Sequence, residues 1–399
     1  MKKTLLFALL FSPSLFLLLP PADSDAVPAF ARRYKISCNT CHAPFPKLKP
    51  YGDDFAGSGF IIEEEEKARD YVSAGDDLLW LNRDFPLAVR FDAYAQYDQD
   101  KKVDNDLQSP WGLKLLSGGT LYKKIGYYFY FYMSERGEVA GIEDAYIHFD
   151  NVFGSNLDIM VGQFQTSDPL MKRELRLTFE DYVIYKERFG YSRTNLAYDR
   201  GVMLVYGVDR TGTDLIAMVV NGNGKAEAGS DLKFDDDEYK NIGLRVSQGI
   251  GEFMSLGGFY YRGKERSFDQ ITLDESATNE ITYWGPDFNI GAGPIEVTGQ
   301  YLVRKDSNIW HFAGQSAAVD YEAKGLILEA ILSPQLDRSR FYLTALYNKI
   351  DHDVDQWDYE TATLSGTYLL ARNLRLIAEY TRDLKNDLNR FTFGMVSGF

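Results

Sequence analysis

The chain has 399 residues, 45% hydrophobic and 15% aromatic, with 58 acidic residues against 43 Lys and Arg and a formal charge of −15. So acidic a surface disfavours nucleic acid and favours cations. Four histidines leave little for a multi-histidine metal enzyme, and no phosphate-binding glycine loop or nucleophile–base pair supports hydrolytic chemistry.

In chain order, residues 1–26 read as an export signal peptide. Lys2 and Lys3 give a basic start, and Ser24-Asp25-Ala26 supplies small residues for cleavage. Between them Leu5 to Leu19 is an apolar run broken by Ser12, Pro13 and Ser14. It falls short of the roughly 20 residues that a membrane-spanning helix needs. The alternative is a retained lipid or helix anchor.

Residues 27–84 form a second unit, which contains Cys38-Asn39-Thr40-Cys41-His42. Cys-x-x-Cys-His is the attachment pattern of a c-type haem. The two thiols can each close a thioether bond to one porphyrin edge, and His42 is then placed to bind the iron. The motif uses both cysteines of the chain. A redox disulfide or half of a zinc site are the competing readings. A zinc site would want another ligand pair nearby, and a thioredoxin-like motif a strand–helix context rather than Ala43-Pro44-Phe45-Pro46. Glu63 to Tyr71 reads as a short charged helix. So small a unit is marginal without a staple, which a covalent haem would provide.

Residues 85–399 change to segments of about ten residues with period-two alternation. Leu87, Val89, Phe91, Ala93, Ala95 and Tyr97 share one face, and Arg90, Asp92, Tyr94 and Gln96 the other. Sixteen strands are predicted near 86–98, 109–118, 124–134, 141–150, 156–165, 199–208, 213–221, 238–249, 252–263, 279–290, 294–305, 316–332, 339–350, 358–370, 373–383 and 389–399, the twelfth with room for a bulge. Short turns mostly follow even-numbered strands and longer polar links odd-numbered ones, as in an outer-membrane barrel. The last strand closes on Phe399, like the assembly signal of such barrels. The fold class is therefore all-β: an antiparallel outer-membrane β-barrel of about sixteen strands with a small N-terminal c-type haem domain. A periplasmic β-sandwich or propeller carrying a haem is the alternative.

Pro28-Ala29-Phe30-Ala31-Arg32, Cys38 to His42, Phe45-Pro46-x-Leu48 and Tyr51-Gly52, followed by the strand series, make the chain resemble the fused monohaem cytochrome c–porin family of the bacterial outer membrane. The resemblance covers the chain from about residue 27, and its barrel part matches in architecture alone. It implies one covalent haem c on a small domain joined to a barrel. In members that oxidise iron(II), it also implies electron transfer from extracellular iron(II), or another extracellular redox partner, to a periplasmic c-type cytochrome.

The apolar band of such a barrel is about 25 Å tall. Electron tunnelling weakens steeply with distance, so the haem unit is expected inside the lumen. Its own sequence has no second histidine and no methionine to bind the iron opposite His42. The candidates are His148, on the polar face of the fourth strand, and Met171, in the long link from Thr166 to Tyr198 that is expected to fold inward. Met160 and Met254 follow, and five-coordinate iron is the remaining option. His311 and His352 fall in expected outer loops. Asp351-His352-Asp353 offers carboxylates and an imidazole that suit iron(II), and Asp235 to Glu238 is a second acidic run. Each is more often just a solvated loop, since barrel loops are commonly acidic. The charged cluster Lys172, Arg173, Glu174, Arg176, Glu180 and Asp181 is expected to tie the link to the lumen wall. Two other functions fit the same chain: a diffusion porin with a haem plug, and outward electron transfer to an extracellular acceptor.

Overall fold

The computed structural model describes residues 29–62, 85–99, 102–235, 237–267, 277–309 and 319–399. Among these residues, sixteen strands form one closed antiparallel barrel. They are β1 (Leu87–Asp98), β2 (Asn105–Tyr122), β3 (Ile125–Glu135), β4 (Gly141–Phe149), β5 (Leu157–Phe164), β6 (Asp199–Val208), β7 (Thr213–Val220), β8 (Asn241–Ile250), β9 (Met254–Ser267), β10 (Ala277–Ala292), β11 (Ile295–Ile309), β12 (Val319–Leu332), β13 (Phe341–His352), β14 (Tyr359–Ala371), β15 (Leu374–Asp383) and β16 (Leu388–Gly398). Each pairs with its sequence neighbours, and β1 closes on β16 with Arg90 opposite Gly398 and Asp98 opposite Arg390. Closure leaves no unpaired edge, which is what a sheet in lipid requires.

Several strands run further than their apolar alternation. β2 begins at Asn105, β9 ends at Ser267, and β11 ends at Ile309. Backbone pairing continues above the apolar band, where the side chains are already polar, so hydropathy fades before the ladder does. Conversely, β8 begins only at Asn241. The irregularity expected in the twelfth strand falls in its pairing with β11, with the extra residue on β11 between Asp306 and Ile309, while β12 pairs with β13 without a shift.

Burial is inside-out relative to a soluble protein. On β8, Ile242, Leu244 and Val246 are about half exposed, while Asn241 and Ser247 are buried. On β11 and β15, Arg304 and Arg375 are almost fully buried. The outward face therefore suits lipid, and the polar face lines a filled lumen.

Two segments fill it. The first is residues 29–62, with the short helices α1 (Ala29–Tyr34), α2 (Cys38–Cys41) and α3 (Pro50–Gly57). Pro50 opens α3 at the first helical turn, where its missing N–H costs nothing. Phe30 lies against Phe55 and Phe60, with ring centroids at 5.2 and 4.9 Å, and Phe60 stacks on Tyr128 of β3 at 5.0 Å. The wall makes room with glycine. A Cβ on Gly118 would meet Phe30 Cζ at 2.9 Å, and one on Gly126 would meet the Gly59 carbonyl oxygen at 2.4 Å. Arg32 donates to the Leu87 carbonyl at 2.6 Å, and Lys49 pairs with Asp337 in the turn between β12 and β13. Residues 29–62 thus sit in the end of the lumen that the short turns border. The helix expected over 63–71, and the export signal, lie outside the described residues.

The second filler is the long link between β5 and β6, which turns inward as expected. Its helix α4 (Val183–Lys186) and the buried Phe189 and Leu196 pack with Tyr261, Tyr283, Ile327 and Ile350 of the far wall. Glu379 accepts the Phe179 and Glu180 N–H groups at 2.7 and 3.0 Å. Arg304 donates to Thr194 O at 3.1 Å and to Ser192 Oγ at 2.8 Å. Of the charged cluster, Arg173 pairs with Asp181 at 2.8 Å and Glu180 with Arg390 of β16.

Candidate functional site

α2 places Cys38 and Cys41 three residues apart, on one helical face. The helix ends at His42, whose N–H donates to Cys38 O at 2.9 Å. The chain then folds back, with the Lys49 N–H on Cys41 O at 2.8 Å. Gly52 permits this closeness, since a Cβ there would meet Cys41 O at 2.4 Å.

His42 Nδ1 lies 2.8 Å from the Pro46 carbonyl oxygen. A carbonyl only accepts, so the proton sits on Nδ1 and Nε2 keeps its lone pair. That is the tautomer a metal-binding imidazole needs, fixed by its second nitrogen. Burial lowers the His42 pKa, which keeps the ring neutral, and burial also raises both thiols.

Cys38, Cys41 and His42 line one cavity of about 240 Å³ between residues 29–62 and the barrel wall. Its near side is apolar, with Phe30, Ile36, Phe45, Leu48 and Phe55; its far side carries Tyr128, Tyr130, Tyr146, Asp144, Lys172 and Glu174. Two thiols, an imidazole with a free lone pair and an apolar wall form a donor set that fits a covalent haem. These residues would hold it, and when bound it would supply one-electron redox chemistry.

The expected sixth ligands are not brought there. His148 of β4 is buried, but it faces Gly59, whose missing Cβ would meet the ring Cδ2 at 3.0 Å, and it does not line the cavity. Met171 is buried in the inward link and faces the neighbouring part of the lumen. Met160 and Met254 are absent from the lining as well. The alternation gave His148 the right face of its strand, but not its position relative to α2, which depends on how the N-terminal unit docks.

Asp351, His352 and Asp353 are placed as follows. His352 is the last residue of β13, and its buried ring lies 4.5 Å from Phe189 and 4.7 Å from Trp357. Its Nδ1 accepts the Val354 N–H at 2.9 Å. Asp351 points the other way and pairs with Lys349 at 3.2 Å, as strand alternation demands, while Asp353 accepts the Glu322 N–H at 2.7 Å. The three side chains do not converge on one ion. In the second acidic run, Asp235 pairs with Lys240 and Asp237 accepts the Tyr239 N–H at 2.8 Å; Asp236 and His311 lie outside the described residues.

Glu174 is the residue whose centrality the sequence did not show. It accepts from Lys114 Nζ and Tyr130 Oη, each at 2.7 Å, and from Tyr132 Oη at 3.2 Å. Burial alone would raise its pKa, but Lys114, Arg173 and Arg176 outweigh that and hold it well below the usual carboxylate range. Asp168, also on the cavity wall, is pushed up to about 6, first by burial and then by Glu174 and Asp53 against Lys172.

No family model and no curated protein matches the chain. Solved structures do. An anion-selective porin from Comamonas acidovorans has a TM-score of 0.58 at 10% identity, covering 79% of this chain and 99% of that one. A loop-deletion mutant of OmpT, an outer membrane protein of Vibrio cholerae, has a TM-score of 0.56 at 14% identity, covering 78% and 98%. OmpF of Salmonella typhi in complex with daunomycin has a TM-score of 0.57 at 9% identity, covering 78% and 97%. The fold is that of the outer-membrane porin barrels, and the bacterial outer membrane is this chain's location.

Proposed function

We propose that the chain is an outer-membrane electron conduit, taking electrons from extracellular iron(II) through one c-type haem to a periplasmic c-type cytochrome. One observation carries the reading: Cys38, Cys41 and His42 face a single, largely apolar cavity inside a porin-like barrel. A redox centre in the lumen shortens the path to both sides of an apolar band about 25 Å tall. Cys38 and Cys41 would hold the porphyrin and His42 Nε2 the iron, while the Pro46 carbonyl holds the imidazole's tautomer. Phe30, Phe45 and Phe55 exclude water from the same space.

Among the described cavity-lining residues there is no second histidine and no methionine. The segment 63–84 contains neither. The residues that would hold the group are therefore Cys38, Cys41 and His42. His148→Ala should leave the haem absorption and paramagnetic resonance spectra unchanged, and a shifted spectrum would restore His148 as the ligand.

The test of function is to mix outer membranes carrying the protein with iron(II) and follow the reduced haem bands. Reduction is expected, and it should disappear in Cys38→Ser, which loses a thioether. Failure to reduce at any pH would overturn the reading. A second reading, a diffusion porin with a structural haem plug, is favoured by the barrel itself. An open ohmic pore in planar bilayers, with haem inert to iron(II), would select it.

A further inference from the structure

His148 is left without a role by the haem cavity, and its surroundings suggest one. It sits at the inward-facing end of β4, opposite Met160 of β5. Two residues further along the same face comes Asp150, and Asp158 of β5 lies across from it. The pleat therefore brings one imidazole and two carboxylates together at the turn. One ligand atom from each of His148, Asp150 and Asp158 lies within 4.8 Å of the other two.

His148 is 2% exposed, and neither ring nitrogen has a hydrogen-bond partner; the Gly57 carbonyl sits near the ring but outside hydrogen-bond geometry. An unpaired buried imidazole costs free energy that a bound ion would recover. The carboxylates are only partly engaged. Asp158 Oδ1 accepts the Asn151 N–H at 2.8 Å, and Asp150 Oδ1 accepts Asn151 Nδ2 at 2.9 Å. Lys124 Nζ stands 3.7 Å from Asp150 Oδ2, a loose pair with an exposed lysine that a divalent ion would displace.

We propose that His148, Asp150 and Asp158 bind a divalent transition-metal ion. The donor set, one nitrogen and two carboxylates, suits zinc, iron(II) or manganese(II) rather than a soft thiolate-seeking ion. Nitrogen and carboxylate ligands about 2.0–2.2 Å from a metal lie at most roughly 4.4 Å apart, so the three side chains close on an ion with sub-ångström shifts. An entry route exists: Asp150 and Asp158 open onto a lumen space also lined by Asp53, Asp54, Asp209 and Asp214, which concentrates cations. The ion would clasp the wall where the Gly57–Gly59 turn of the N-terminal unit leans on His148. This site is independent of the electron-transfer reading, because it does not touch the cavity of Cys38, Cys41 and His42.

The test titrates zinc(II) calorimetrically into the purified, haem-loaded full chain in detergent after chelator treatment. One tightly bound zinc per chain is expected. Loss of an outer hydrogen-bond partner of a metal site weakens it about 10–100-fold, so His148→Ala and Asp158→Asn, which remove ligands, should each weaken it at least about tenfold. Asp209→Asn, in the same acidic space, should bind as the parent does. Heat-modifiable electrophoretic migration checks that each variant is folded. No zinc uptake by the parent, ligand variants that bind normally, or equal weakening by Asp209→Asn would each overturn the site. So would a haem spectrum altered by His148→Ala in the metal-free protein.

Discussion

Glu174 and Asp168, six residues apart on the inward link, respond oppositely to pH. The Glu174 carboxyl is held below its ordinary value of 4.5, so its contribution is complete above that pH and is lost as pH falls below it. Glu174→Gln takes from buried Lys114 its ion-pair partner, and breaking a buried pair costs about 3–5 kcal/mol. Denaturant titration should show that loss at neutral pH and a shrinking difference from the parent in acid. The Asp168 value is raised from 3.8 to about 6, so its folded form favours the proton and it withdraws stability as pH rises between those values. If a haem occupies the cavity that Asp168 lines, the ionised carboxylate favours the oxidised iron. The midpoint potential should then fall from about pH 5 to pH 7 as Asp168 ionises, and Asp168→Asn should flatten the slope. A potential that ignores this substitution would remove Asp168 from the cavity's electrostatics. At this scale the cavity-facing trio of Cys38, Cys41 and His42 is legible because it is local, drawn from five consecutive residues. The centrality of Glu174 is not, because its partners Lys114, Tyr130 and Tyr132 come from two other strands.

The strands were readable from alternation because each side chain of a barrel strand has only two destinations, lipid or lumen. The readable signal was weakest at the outer ends, and that is why His352 was expected in a loop: β13 runs two residues past the predicted 350. The inward link was foreseeable from its length and charge. The docking of the N-terminal unit was foreseeable as a location but not in detail, since it rests on missing side chains. Gly118 and Gly126 accept the ring of Phe30 and the backbone of Gly59, and a glycine in a strand does not announce its neighbour. Gly126→Leu should displace residues 29–62 while leaving the barrel paired. In planar bilayers its conductance should exceed the parent's, and protease should cut the released segment. Unchanged conductance and protection would show that the segment docks without the Gly126 contact.

At the scale of the molecule, the inside-out distribution of polarity makes lipid the solvent of the outer face. Val246, 52% exposed and near the middle of β8, tests that directly. An arginine or lysine on the lipid face costs about 2–4 kcal/mol at the bilayer midplane and little near the interfaces. Val246→Arg should show a loss of that size when folding into bilayers is measured, and a negligible loss would place β8 elsewhere. The seam of the barrel carries a further consequence. β1, which follows the N-terminal unit, closes the ring by pairing with β16, and Phe45 of that unit packs on Gly398 of β16, where a Cβ would meet its ring at 3.2 Å. The partly exposed thiols of Cys38 and Cys41 then face the narrow cavity between the N-terminal unit and the barrel wall. If the haem is bound as proposed, the closed ring leaves a porphyrin little room to approach those thiols, so attachment before the barrel closes should be faster than attachment after it.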